Sequence, residues 1–314
     1  MSSTRAFRAV SRLATITAAL MFALIVVGSI VRTTGSGLSC PDWPLCHGKL
    51  IPPFDFNIWM EWFHRLLALL VGLLLLTTTV VTLARRETRA KLGGVAALSV
   101  ALYFSQALLG ALTVWKLLDP SVVSGHLAVG LLLFATFVTI AVMAGIEADP
   151  AALAAAGPRA ADHLPLFSAT TAFVWLQAVL GGMVSTHHAS LVCPDWPTCH
   201  GEWFPPLEGL VGLQMAHRWA GYALAVLVVV VSVRAGRAGD RVVRYAGHLL
   251  PRLVILQIAI GVANVLMGIP VWVSAIHLGN ATLILAIALV ATLRLAAQPA
   301  ARADARAALA EAAR

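Results

Sequence analysis

Eight apolar stretches, each long enough to cross a membrane, constrain this chain more than any other feature. They run approximately Leu13–Val31, Trp59–Leu83, Leu92–Trp115, Val122–Ile146, Leu164–Thr186, Gly209–Val233, Arg252–Ile269 and Trp272–Leu293. A helical span needs about 20 mostly apolar residues, and a helix satisfies its backbone groups internally where no water can. The sequence therefore predicts an all-α polytopic membrane protein. Of 314 residues, 60% are hydrophobic and only 11% are charged, against roughly 25% charged in a soluble domain. That excludes a soluble enzyme, a disordered chain and a nucleic-acid binder, so the net charge of +8 needs a membrane explanation.

The distribution of basic residues supplies it. They gather at Arg5, Arg8 and Arg12, at Arg85, Arg86, Arg89 and Lys91, at Arg234, Arg237, Arg241 and Arg244, and at Arg302, Arg306 and Arg314. The alternate loops carry little beyond Lys49 and Lys116. Lys and Arg collect in cytoplasmic loops. The expected placement is the plasma membrane, with both termini cytoplasmic and the long loops Gly35–Ile58 and His187–Glu208 outside. Three arginines precede the first stretch, as in a signal peptide. No small-residue cleavage pattern follows it, so it reads as a retained span.

The chain repeats itself. Ser39-Cys-Pro-Asp-Trp-Pro-Leu-Cys-His-Gly48 corresponds to Val192-Cys-Pro-Asp-Trp-Pro-Thr-Cys-His-Gly201, at an offset of 153. At that offset His64-Arg65 matches His217-Arg218, and Gly28 matches Gly181. At an offset of 151, Gln106 matches Gln257, Gly110 matches Gly261, and His126 matches His277. This is a duplicated four-helix unit, with both copies the same way up in the membrane. The expected domains are an N-terminal half at 1–146, a cytoplasmic linker at 147–163, a C-terminal half at 164–297 and a cytoplasmic tail at 298–314. The fold class is two pseudo-symmetric four-helix bundles.

His64, His126, His217 and His277 fall in the first turns of the four spans that run inward, at one depth. A lone membrane histidine is often no more than an interhelical hydrogen bond. Two at matched depth, repeated in both copies, point to a site. Two neutral imidazoles from facing helices of a dry bundle suit the axial positions of a haem iron. Zinc would want three or four ligands, and a proton relay would want carboxylates that the spans lack. Two haem sites follow, His64 with His126 and His217 with His277. Arg65 and Arg218 are candidates to meet haem propionates, or else to snorkel to headgroups. Glu61 shares a helix face with His64, while the matched residue is Gln214. A carboxylate in one copy and an amide in the other imply divided labour, with chemistry at the first site and electron transfer or structure at the second. The plainer role for Glu61 is helix capping.

Cys40 and Cys46 have five residues between them, as do Cys193 and Cys199. The intervening Pro-Asp-Trp-Pro favours a turn, and the outer side is oxidising. Each pair is expected to close as Cys40–Cys46 and Cys193–Cys199. The bond is either a structural staple or a redox couple for a periplasmic thiol–disulfide protein. Zinc at Cys40, Cys46 and His47 is the remaining alternative. The other loop histidines read as surface residues.

Glu61-x-x-His64-Arg65, the histidines at 126, 217 and 277, the segment Gly35-Ser-Gly-Leu-Ser-Cys-Pro-Asp-Trp-Pro44 and the two four-helix halves together resemble the haem A synthase family, over nearly the whole chain. The resemblance implies oxidation of the C8 methyl of haem O to a formyl group, which makes the chain an oxidoreductase acting on a CH group. It implies haem O as substrate on His64 and His126, haem b as cofactor on His217 and His277, and Glu61 as the catalytic acid. The second cysteine pair occurs in only some members. Haem O synthase (protohaem farnesyltransferase) and a haem A-dependent oxidase are the implied functional partners, in a lipid setting, without nucleic acid; a homo-oligomer is compatible. Three other readings compete. A di-haem b electron-transfer cytochrome leaves Glu61 against Gln214 unexplained. A thiol–disulfide oxidoreductase has the wrong cysteine spacing. A membrane haem carrier would release haem unchanged.

Overall fold

The computed structural model describes residues 3–154, 163–237 and 240–312. Eight long helices carry the chain: α1 Ser3–Thr33, α2 Phe56–Leu83, α3 Arg86–Trp115, α4 Pro120–Ala148, α5 Leu164–Thr186, α6 Gly209–Ala235, α7 Arg241–Leu266 and α8 Val271–Ala312. All eight are long and apolar enough to span a membrane, and no strand occurs among the described residues. The protein is therefore an all-α, multi-pass membrane protein. Residues 155–162 of the expected linker lie outside the described residues, as do the side chains of the basic residues in the tail.

All the long helices but α5 outrun their apolar stretches at one end or both, because hydropathy marks the crossing and not the helix. The largest difference at a helix start is in α7, whose apolar stretch begins at Arg252. The helix itself begins at Arg241 and carries Pro251 inside it. Membrane helices tolerate proline where neighbours satisfy the freed backbone groups. Its true start is set by Asp240, whose side chain accepts hydrogen bonds from the amides of Val242 and Val243. Asp55 caps α2 on the amides of Asn57 and Ile58. Asp119 caps α4, with Pro120 in the first turn, where its missing N–H costs nothing.

Helix pairing is the same in both halves: α1 with α2 and α4, α3 with α2 and α4, and likewise α5 with α6 and α8, α7 with α6 and α8. Between the halves, α1 packs on α8, α4 on α5, and α4 on α8. The helices α1, α4, α5 and α8 thus form the seam, and the other four flank it. Ser124 on α4 and Thr186 on α5 share a hydrogen bond of 2.9 Å across that seam.

Each half has an apolar core. Phe7, Val10, Leu75, Leu92, Phe134, Phe137 and Ile140 build one; Phe167, Val228, Val231, Leu250, Ile284 and Leu295 build the other. Both occupy the end of the molecule where α1 and α5 begin. The opposite end, under the long loops, holds the histidines. Burial of apolar side chains fixes the bundle at one end and leaves the other free to enclose a cavity.

Candidate functional site

The two long loops fold alike. Disulfides close Cys40 to Cys46 and Cys193 to Cys199, so these cysteines are not thiolates and the zinc alternative falls. Asp42 accepts hydrogen bonds from the amides of His47 and Gly48 at 2.6 and 2.8 Å. Asp195 does the same for His200 and Gly201 at 2.8 and 3.0 Å. The amide of Gly48 is the main cause holding the Asp42 carboxyl below its ordinary range. The Thr198 hydroxyl does this first for Asp195. His47 is exposed and its Nε2 lies 2.9 Å from the Ser39 carbonyl, so it serves the loop.

Below the loops lies a cavity of about 980 Å³, lined by residues from both halves. That is at the upper end of the roughly 300–1,000 Å³ typical of small-molecule and cofactor sites. His64, His126, His217 and His277 all line it, as do Glu61 and Gln214. The ring centroids of His217 and His277 are 6.5 Å apart. Two imidazoles bound either side of one metal ion, with metal–nitrogen bonds of about 2 Å, need a separation of that size.

Each histidine lies against a glycine of the preceding span. A Cβ built on Gly28 would stand 3.1 Å from Cε1 of His64, on Gly110 3.3 Å from His126, on Gly181 2.8 Å from His217, and on Gly261 3.0 Å from His277. The four matched glycines are therefore seats for the four rings. Nδ1 of His64, His126 and His277 is buried without a protein partner. Three glutamines stand beside the histidines. Gln106 Nε2 is 3.2 Å from His126 Nε2, Gln257 donates to the His277 carbonyl at 3.0 Å, and Gln177 contacts both Nδ1 and the carbonyl of His217 at 3.1 and 2.9 Å.

Glu61 is buried, at 4% exposure. Its Oε2 accepts from the Cys40 amide at 2.8 Å, and its Oε1 pairs with Arg65. It does not cap α2, because Asp55 does. Gln214 is equally buried but donates to the Ser190 carbonyl at 3.3 Å, with its own oxygen unpartnered.

The profile of the cytochrome oxidase assembly protein family matches residues 11–289. A heme A synthase of Shouchella clausii is 31% identical, covering 82% of this chain and 87% of the relative. One from Caulobacter vibrioides is 30% identical, over 87% of this chain and 92% of the relative. One from Shewanella oneidensis is 27% identical, over 85% and 91%. The chain belongs to the haem A synthase family.

In this family member both arginines line the cavity, and their hydrogen bonds run to the loops above it. Arg65 donates to the carbonyls of Asp42, Leu45 and Cys40. Arg218 donates to those of Asp195, Thr198 and Cys193. The acceptors correspond one for one in the repeat. Each arginine clamps a disulfide loop over the histidine that precedes it, since the turned loop leaves three carbonyls facing the helix with no amide to meet them. Sequence reasoning also missed Gln177, whose matched residue is Leu24, and Arg32, which lines the cavity. A polar residue inside an apolar span was the available signal for Gln177.

Proposed function

We propose that the protein is an enzyme that oxidises the C8 methyl of haem O to the formyl group of haem A, in the plasma membrane with both termini cytoplasmic. One observation carries the reading: in a chain of this family, two matched histidine pairs line a single cavity whose wall holds a carboxylate in one half and an amide in the other.

The residues fit haem. The cavity is largely apolar, the glycine seats admit flat rings, and the spacing of His217 and His277 suits one iron. On this reading His217 and His277 hold haem b, which supplies one-electron chemistry when bound. His64 and His126 hold the iron of the substrate. Leu69 and Phe104 support placing haem O in the first half. Both line the cavity, yet they are 55% and 64% exposed on α2 and α3. The wall there opens towards lipid, where a farnesyl tail is at home.

Methyl to formyl is a four-electron oxidation, which makes the enzyme an oxidoreductase acting on a CH group. Glu61 has its two oxygens fixed by the Cys40 amide and Arg65, so it presents an oriented negative charge to the cavity. Positive charge developing at the methyl carbon gains most from a charge that is already in place. The apolar lining keeps water from screening it. Haem O synthase would supply the substrate, and a haem A-dependent oxidase would take the product.

The test is expression in a host that makes haem O but not haem A, followed by chromatography of the extracted haems. Haem A should appear. Recovery of haem O and haem b alone would leave a cytochrome or a carrier.

A further inference from the structure

Arg65 and Arg218 line the cavity but spend their hydrogen bonds on the loop carbonyls and Glu61, so a further cation is better placed to read the two carboxylates that every haem carries. Arg32 sits in the last turn of α1 and lines the cavity. It is four residues beyond Gly28, the seat of His64, and residues four apart share a helix face. One Nη2 hydrogen bond crosses the seam to the Ser185 carbonyl at 2.8 Å. Ser185 is in turn four residues beyond Gly181, the seat of His217. Arg32 therefore stands between the loop-side ends of the two histidine seats.

A guanidinium has five N–H donors, and only one of Arg32's has a partner among the described residues. No carboxylate lies within 4.0 Å of it among those residues, although Arg65, Lys91 and Arg294 each have one. A partly buried cation in apolar surroundings normally has an anionic partner. Snorkelling to headgroups would leave Arg32 at the periphery, whereas it reaches inward to a carbonyl of the opposite half. Ser185 is also the residue that matches Arg32 in the repeat, so the seam holds one guanidinium and not two.

We infer that Arg32 is the carboxylate-reading residue of the cavity, binding a propionate of the tetrapyrrole held there. This rests on the haem reading of the site and adds the group that selects for the acid side chains. The source of the carboxylate is either the resident haem b or the substrate haem O.

The experiment titrates purified protein from a haem-deficient host, in detergent, with haem b, haem O and the dimethyl ester of each, read by the Soret band. Wild type should prefer the free acid of one haem over its ester by about ten- to a hundredfold, the value of a charge-assisted hydrogen bond. Arg32→Gln should abolish that preference and Arg32→Lys should keep most of it. A preference confined to haem b assigns Arg32 to the cofactor, and one confined to haem O assigns it to the substrate. Equal binding of acid and ester by wild type overturns the inference even if Arg32→Gln fails to insert. So does an undiminished preference in Arg32→Gln. Haem A formation by the wild type is scored separately, so the inference can fail while the proposed function stands.

Discussion

Glu61 and Gln214 stand at matched positions and differ by a single side-chain group, so the Glu61→Gln exchange isolates the charge. It keeps the bulk and can still accept from the Cys40 amide, but it loses the ion pair with Arg65. Haem A formation should fall by about 10²–10³, the scale of a preorganised transition-state charge, while bound haem b is retained. Product analysis at equal expression checks this; a wild-type yield would make Glu61 a loop anchor only. The glycine seats give a second residue-scale expectation. Gly181→Ala puts a Cβ where His217 Cε1 lies 2.8 Å away, so the ring must shift and haem b content should drop. Gly94→Ala, with nothing within 4 Å, should keep full content by pyridine haemochrome assay. At this scale the histidines were legible because an imidazole inside hydrocarbon is costly. The work of the arginines was not, because a guanidinium that meets loop carbonyls looks the same in sequence as one that meets a ligand.

The loops and helix ends have their own expectations. Asp42 and Asp195 are held below the ordinary carboxylate range, so each folded-state value lies under the unfolded value of about 3.9. Their contribution is present above that value and is lost as pH falls through the lower one. Amide protection at His47, Gly48, His200 and Gly201 should therefore be intact at pH 6 and fail only in stronger acid, as measured by hydrogen exchange corrected for intrinsic rates. Protection already lost at pH 5 would contradict this. At the other end, Arg294 on α8 pairs with buried Asp240 at 2.9 Å. Asp240→Asn removes the pairing charge and weakens the cap of α7. The cost should be about 3–5 kcal/mol, seen as a lower midpoint for heat-induced loss of helix in detergent. The helices were legible as spans, and their starts were not. Asp240 sits too far ahead of the apolar stretch for hydropathy to reveal it.

The duplication made most of the architecture readable, since matched cysteines, glycines and histidines at fixed offsets imply one unit used twice. What it hides is everything that crosses between the copies. The single cavity, the Ser124–Thr186 bond and the reach of Arg32 to Ser185 need the seam itself. Replacing Gln214 by Glu should not create a second oxidising site. The partner that fixes Glu61, the Cys40 amide, has no counterpart bond at Gln214, which turns to Ser190 instead. Haem analysis of the Gln214→Glu protein should show wild-type product and no more.

The pairing of Arg32 with Ser185 has one more consequence. A homodimer of identical four-helix chains must place the same side chain on both sides of its axis. An arginine at this point would then face its own copy, two cations repelling in apolar surroundings, and a serine would face a serine, with no cation at all. Joining the copies into one polypeptide frees the two positions to differ. A single positive charge on the axis is open to the fused chain and closed to such a homodimer.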